Sequence, residues 1–219
     1  GEGLFPGILG THGHWQQGKV AERVAARGHT FAKEGYVVLI VDAFGSGERS
    51  TVHGQYEYHG STIGGSLMSI GETLLGMQVY DNMRGVDLLQ SLPYVDGDHI
   101  GVTGASGGGN QTMWLAAFDD RIKAAVPVVS VGTFESYVCN ANCICEALPE
   151  GLTITEEWGV LALVAPAALL ILNAMRDSNR AFHIAEMARS YESARQIFRM
   201  LEAEEKIAYK TIDLPHGYW

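Results

Sequence analysis

The chain has no uninterrupted apolar segment long enough to cross a bilayer. Its most apolar uncharged stretch, residues 159–175, contains Pro166, whereas a membrane-spanning helix needs about 20 consecutive apolar residues. We therefore expect no membrane partner. The stretch is interpreted as the end of a helix followed by a buried strand.

Positive charge is also scarce. The 15 Lys and Arg residues are outnumbered by 25 Asp and Glu residues, which gives a formal net charge of −10. The resulting field repels phosphate backbones and anionic lipid surfaces. The composition therefore predicts no nucleic-acid partner, and it leaves oligomerisation open.

Cysteine is rare as well: Cys139, Cys143 and Cys145 are the only three, and they fall within seven residues. An odd, clustered set is neither a disulfide framework nor a paired metal-ligand spacing, and at most one local disulfide could form. The segment also lacks the Cys-x-x-Cys spacing of reactive thiols. We predict buried structural thiols, with a redox role as the alternative.

A secretory leader is not visible in the chain shown. Residues 1–6 contain neither a basic region nor an apolar core, and a signal peptide requires both. The sequence therefore predicts no signal peptide here. It leaves open whether the protein is cytoplasmic, periplasmic or secreted.

The pattern that is present predicts one α/β domain over residues 1–219. A chain of 219 residues with 47% hydrophobic residues can close one sizeable core. Strands are expected at 7–11, 36–42, 100–103, 124–129, 168–172 and 207–213, and helices at 19–34, 71–90, 107–117 and 180–205. This alternation predicts a mostly parallel sheet with helices on both faces.

Two stretches interrupt the alternation, at about 45–70 and 132–157. Long insertions in a compact domain are usually functional or mobile, and both follow the C-terminal ends of strands, where open α/β sheets bind ligands. We predict that these insertions shape the substrate pocket. The alternative is that they are irregular packing loops.

The turn Gly104-Ala105-Ser106-Gly107-Gly108 lies between a predicted strand and a predicted helix. A Gly-x-Ser-x-Gly sequence in that context is typical of a nucleophile elbow. The small residues allow a strained, close turn, and the start of the helix directs its free N–H groups toward the serine. Ser106 is therefore the predicted nucleophile.

A serine nucleophile needs a histidine base and a carboxylate that orients the base. His216 follows the last predicted strand and Asp177 follows the strand before it, which gives the chain order of the α/β-hydrolases. Asp213 is too near His216 in an extended segment to face its Nδ1 easily. Glu135 and Glu146 are alternative acids.

Acyl transfer also needs backbone donors for the oxyanion of its tetrahedral intermediate. The run Thr11-His12-Gly13-His14-Trp15 follows the first predicted strand, and we predict the His14 N–H and the Gly107 N–H as donors. Either the His14 ring lines the pocket or the His12 ring packs beneath the loop. Further candidates for substrate contact are Trp15, Tyr56, Tyr58, Trp219 and Glu146.

Neither a metal nor a dinucleotide is predicted as a cofactor. The His12-Gly13-His14 run offers two imidazoles with no third ligand close in sequence. The Gly45-Ser46-Gly47 run is not a Gly-x-Gly-x-x-Gly sequence and does not open a helix.

Several runs together resemble the acetyl xylan esterase-like branch of the α/β-hydrolases, which is near the dienelactone hydrolases and the prolyl oligopeptidases. They span nearly the whole chain and lie at 11–14, 42–48, 74–84, 101–112, 142–146 and 215–218. The resemblance implies an α/β-hydrolase fold. It also implies hydrolysis of a small ester, commonly an acetyl group on a sugar or xylan chain, by Ser106, His216 and Asp177.

The chain departs from that branch in three ways. The resemblance leads us to expect strands before residue 1 and a helix after residue 219, and relatives often carry an arginine between two prolines where this chain has Ala165-Pro166-Ala167.

A peptidase or amidase on the same scaffold is the alternative enzyme, because one triad can cleave either bond. A non-catalytic binding protein is the alternative from a different class.

Overall fold

The computed structural model describes residues 3–50, 63–140 and 142–218. These residues form a six-stranded sheet with the order β2-β1-β3-β4-β5-β6, and every neighbouring pair of strands is parallel. The strands are β1 (Phe5–Gly10), β2 (Val37–Ile40), β3 (Val95–Ala105), β4 (Ile122–Val128), β5 (Ala168–Arg176) and β6 (Ile207–Pro215). The six predicted strands are confirmed, and their parallel arrangement places all their carboxyl ends at one edge.

The helices connect these strands. They are α1 (Glu22–Lys33), α2 (Ile63–Met68), α3 (Leu74–Ser91), α4 (Gly107–Phe118), α5 (Phe134–Cys139), α6 (Gly151–Ile154), α7 (Glu157–Leu163) and α8 (Ile184–Met200). The predicted helix at 180–205 is shorter than expected, because the extended backbone of His183 separates a 3-10 turn from α8. None of the described helices is both long and apolar enough to span a membrane.

Helices cover both faces of the sheet, as predicted. Successive side chains of a strand point to opposite faces, and in β2 Val38 and Ile40 face Gly28 of α1 while Leu39 faces Gly85 of α3. The helices α3, α4, α7 and α8 contact one another in that order. They therefore form one layer, opposite to α1.

The main core lies between the sheet and the α3–α8 layer. Alternate strand residues point into it, including Leu9, Val102, Ile122, Leu169 and Ile171, and each is at most 2% exposed. Burial of such a side chain contributes about 1.5–3 kcal/mol. This core holds the carboxyl ends of β3, β5 and β6 in fixed relative positions.

The two predicted insertions carry short elements of their own. The stretch at 132–157 contains α5, α6 and a 3-10 turn at Ile144–Glu146. In the stretch at 45–70, residues 51–62 lie outside the described part, and α2 follows them. The role of both stretches in a substrate pocket stays a prediction.

One acidic side chain is fully enclosed at the start of α7. Glu157 is 0% exposed, and its Oε1 accepts a hydrogen bond of 3.1 Å from the Gly132 N–H. Burial raises the pKa of this carboxyl well above its usual value, the Gly132 N–H opposes the shift, and the charges of Glu156 and Glu146 add to it. Folding therefore favours the protonated form.

This burial makes stability depend on pH. The contribution of a carboxyl whose pKa is raised on folding is complete below its unfolded pKa of about 4.3, and it is lost as the pH rises above that value. Glu157→Gln keeps an acceptor for Gly132 and cannot ionise. Urea unfolding at about pH 5.5 and about pH 8 should show a smaller loss of stability in this variant than in the wild type.

The exposed Glu205 provides the matched control. Glu205→Gln should lose as much stability between the two pH values as the wild type does. An equal loss in Glu157→Gln and the wild type would contradict the assigned role of Glu157.

Candidate active site

Ser106 lies on the sharp turn between β3 and α4. Its φ of 59° and ψ of −128° fall where a residue other than glycine is strained. The Ser106 N–H donates to the Val128 carbonyl at 2.9 Å, and the Asn110 N–H donates to the Ser106 carbonyl at 3.0 Å. These bonds hold the hydroxyl-bearing residue at the carboxyl edge of the sheet.

The turn is possible because the loop after β1 presses against it. A Cβ atom on Gly108 would lie 2.8 Å from both the Thr11 carbonyl oxygen and the His12 carbonyl carbon. Only glycine fits at this separation, since the neighbouring atoms belong to the backbone. The glycines of the Gly-x-Ser-x-Gly sequence thus bring β1, β3 and α4 together.

Asp177 and His216 meet at the carboxyl ends of β5 and β6. The distance between His216 Nδ1 and Asp177 Oδ2 is 2.7 Å, and the side chain of Asp177 is 1% exposed. The other oxygen, Asp177 Oδ1, accepts a hydrogen bond of 2.8 Å from the Asn179 N–H. The carboxylate fixes the proton of His216 on Nδ1, so Nε2 is free to act as a base.

The segment that follows His216 is anchored next to the elbow. The Tyr218 hydroxyl lies 3.0 Å from Thr103 Oγ1 in β3, and the Arg27 guanidinium lies 4.7 Å from the centre of the Tyr218 ring. Phe182 stacks on the His216 ring with 5.9 Å between ring centres. In this state the His216 ring is not hydrogen-bonded to the Ser106 hydroxyl, and such bonds commonly tighten only when substrate binds.

The alternative acids lie elsewhere. Glu135 is exposed and pairs with Arg189 at 3.2 Å. Asp213, three residues before His216, pairs with Arg176 at 2.9 Å. Glu146 is buried beside His14 rather than beside His216. Among the acids considered from the sequence, Asp177 is therefore the one that contacts His216.

The predicted oxyanion donors also lie near Ser106. A Cβ atom on Gly13 would be 3.1 Å from Ser106 Cβ and 3.2 Å from the Gly107 nitrogen. As the first residue of α4, Gly107 has an N–H without an intrahelical acceptor. Gly13 thus packs directly against the start of α4, beside the Gly107 N–H. The His14 N–H as the second donor to a carbonyl oxygen stays a prediction.

Of the two histidines in this loop, His12 packs beneath it. Its ring is 1% exposed, with Nδ1 at 2.9 Å from the Gly13 carbonyl and Nε2 accepting from the Ala43 N–H at 3.1 Å. A ring held in this way is a structural element of the loop. The His14 ring is half-buried and faces the insertion at 132–157.

The contacts of the His14 ring were not predictable from the sequence. His14 Nε2 lies 3.2 Å from Cys145 Sγ, and the Cys145 thiol donates to Cys143 Sγ at 2.8 Å. The Cys145 thiol lowers the pKa of Cys143 to about 3, with His14 adding to this effect and burial opposing it. Burial raises the pKa of Glu146 to about 8, and the charge of Cys143 adds to that shift. The only signal in the sequence was the run at 142–146 in the family resemblance.

A hydrogen-bonded chain links this cluster to Asp177. Glu146 Oε2 accepts a bond of 2.6 Å from the Asn142 amide, and the Asn142 oxygen accepts one of 3.1 Å from the Asn179 amide. Asn179 in turn donates its backbone N–H to Asp177. The insertion at 132–157 is thus coupled to the carboxylate beside His216.

The proposed substrate contacts are only partly visible. Trp15 is half-buried beside the loop, and the Arg23 guanidinium lies 4.6 Å from the centre of its ring, so Arg23 occupies one ring face. Tyr56, Tyr58 and Trp219 lie outside the described residues. Glu146 is 2% exposed, so it offers little surface to a substrate.

Comparisons with known proteins agree with this architecture. The sequence profile of the prolyl oligopeptidase family matches residues 23–157. YtaP of Bacillus subtilis, which carries the provisional name of a hydrolase, is 34% identical over 139 residues, covering 59% of this chain and 44% of YtaP. The chain thus spans less than half the length of this curated relative.

Solved structures share the fold. The methylesterase BT1017 is similar over 100% of this chain and 46% of its own, with a TM-score of 0.76 and 24% identity. A Bacteroides fragilis protein provisionally named as an acetyl xylan esterase is similar over 96% of this chain and 60% of its own, with a TM-score of 0.77 and 19% identity. The predicted α/β-hydrolase fold and superfamily are confirmed.

Proposed function

The chain belongs to the prolyl oligopeptidase family, and we propose that it is a serine carboxylic-ester hydrolase that removes acetyl groups from a carbohydrate. The observation that carries this proposal is the 2.7 Å contact between Asp177 and His216, at the same edge of the sheet as the Ser106 elbow. A buried carboxylate, an oriented imidazole and a strained serine turn are the parts that acyl transfer requires.

The first half of the reaction forms an acyl-enzyme. Ser106 Oγ attacks the ester carbonyl carbon while His216 Nε2 accepts its proton, and Asp177 stabilises the resulting imidazolium. The N–H groups of Gly107 and His14 hold the oxyanion of the tetrahedral intermediate. Its collapse breaks the bond to the alcohol oxygen, which takes the proton from His216 as it leaves.

The second half releases the acid. Water gives a proton to His216 Nε2 and attacks the acyl carbonyl carbon, and the same N–H groups hold the new oxyanion. Collapse returns the proton to Ser106 Oγ and frees acetate. Each step uses side chains and backbone groups of this chain.

Two observations support an ester over a peptide as substrate. The structural relatives reported above carry esterase names, and the runs at 11–14, 142–146 and 215–218 resemble the acetyl xylan esterase-like branch. The family match itself favours the second candidate, a peptidase or amidase. The two candidates differ in the bond that the same triad would cleave.

Initial rates on three substrates separate these candidates. We expect the chain to release p-nitrophenol from its acetate ester and acetate from acetylated xylan, and to leave a peptidyl p-nitroanilide intact. Faster hydrolysis of the anilide than of the esters would replace the esterase proposal with a peptidase. Activity on the small ester without activity on xylan would show a general esterase and contradict the carbohydrate substrate. A folded chain that is inactive on all three substrates would refute the proposal that the chain is a hydrolytic enzyme.

A further inference from the structure

Three side chains of metal-binding types, one histidine and two cysteines, cluster at the predicted oxyanion loop. One ring nitrogen of His14, Cys143 Sγ and Cys145 Sγ all lie within 4.8 Å of one another. No metal is predicted from the sequence, because the His12-Gly13-His14 run has no third ligand close in sequence. The fold instead supplies two thiols from the insertion at 132–157, and Cys145 is 131 residues away from His14.

The fold places the two sulfur atoms on the same side of the insertion, facing the His14 ring. Cys143 precedes the 3-10 turn at Ile144–Glu146 and Cys145 lies within it. Cys145 is 0% exposed in a small apolar cluster with Ala43 and Leu74, and Cys143 packs against that cluster. The thiols therefore face the His14 ring from a sheltered position instead of facing solvent.

A second observation points to a cation. Glu146 is 2% exposed, and its Oε1 has no hydrogen-bond partner among the described residues. This oxygen lies 3.9 Å from His14 Nδ1, the ring nitrogen opposite to the one that faces Cys145. Histidines that bind a metal through one ring nitrogen commonly donate the other N–H to a carboxylate, and the Glu146 carboxyl lies on that side of the His14 ring, at a distance longer than a hydrogen bond.

We propose that His14 Nε2, Cys143 Sγ and Cys145 Sγ bind a thiophilic divalent cation, with zinc as the best match, and that Glu146 orients the His14 ring. In a tetrahedral zinc site with Zn–S of about 2.3 Å and Zn–N of about 2.0 Å, the ligand atoms lie roughly 3.5–3.8 Å apart. The two sulfur atoms would separate by about 1 Å from their present 2.8 Å contact. Water would fill the fourth position.

Binding of the cation at this site requires no redox step. The cation replaces up to two thiol protons, which pass to solvent, and no electron is transferred. The site would tie the loop at 11–15 to the insertion at 132–157. Where the proposed function holds, this tie fixes the loop that carries the His14 N–H, but binding itself does not depend on esterase activity.

Cobalt titration tests the site directly. The chain is stripped with a chelator under reducing conditions and titrated with Co²⁺, whose bonds to thiolate sulfur give charge-transfer absorption in the near ultraviolet. We expect this absorption to saturate at one equivalent and to disappear when one equivalent of Zn²⁺ displaces the cobalt. Cys143→Ser should weaken Zn²⁺ binding by at least about 100-fold, and Glu146→Gln by about 10-fold to 100-fold.

Cys139 offers a matched control, because it is an exposed thiol in the same segment. Cys139→Ser should bind like the wild type, and circular dichroism should show that all variants are folded. Absence of thiolate–cobalt absorption in the wild type, or equal absorption in Cys143→Ser, would overturn the site. A disulfide between Cys143 and Cys145 that persists under mild reduction would also overturn the metal site, and it would identify the two cysteines as a redox pair.

Discussion

Ser106→Ala is expected to reduce the rate of ester hydrolysis by at least about 10⁴-fold. The variant loses the oxygen that forms the acyl-enzyme but keeps the Gly107 N–H and the rest of the site. Its backbone should be unchanged, because alanine and serine have similar strain at a φ of 59°. The measurement is kcat/KM on p-nitrophenyl acetate, together with the unfolding midpoint in urea.

Two further measurements sharpen this prediction. Ser193→Ala removes a hydroxyl from α8 that donates to the Arg189 carbonyl, and it should keep wild-type activity. An organophosphorus reagent should modify the wild type on the Ser106 peptide and leave Ser106→Ala unmodified. Residual hydrolysis in Ser106→Ala at more than about 1% of the wild-type rate would assign the chemistry to another residue.

Asp177→Asn is expected to lower kcat by about 10⁴-fold with a small change in KM. An asparagine has nearly the same shape, but its amide can donate to His216 Nδ1 and stabilise the tautomer whose Nε2 carries a proton. A base in that tautomer cannot accept the Ser106 proton. The 1% exposure of the Asp177 side chain also means that water cannot readily substitute for the lost charge.

Asp213→Asn is the control for this variant. Asp213 lies three residues before His216 and pairs with Arg176 at the surface, so its loss should change kcat by less than about 3-fold, the effect of an exposed ion pair. If Asp213→Asn lowered kcat as strongly as Asp177→Asn, then Asp177 would not be the carboxylate that orients His216.

The alternation of strands and helices could be predicted because the local periodicity of apolar residues indicates it. The apolar runs at 36–42 and 168–172 correspond to β2 and β5, and the turn at 104–108 is recognisable because its glycines meet a local steric demand. The predicted helix at 180–205 was wrong at both ends. Helix ends depend on caps such as His183, whose extended backbone carries little signal in the sequence.

The choice of acid illustrates the limit of such predictions. Three carboxylates, Asp177, Glu135 and Glu146, were compatible with the chain order from the sequence. Their environments differ only in the folded chain, where Arg189 holds Glu135 at the surface and Glu146 is buried beside His14. Distance from the His216 ring separates them, and spacing along the chain does not encode that distance.

Local sequence patterns thus predict the parallel α/β sheet, the elbow at Ser106 and the histidine after the last strand, because each depends on neighbouring residues. The contact between Asp177 and His216, and the position of His14 against Cys143 and Cys145, become visible only in the folded chain. The physical reason is that a parallel sheet gathers the carboxyl ends of distant strands at one edge. Residues more than a hundred positions apart therefore become contacts, and local periodicity contains no record of them.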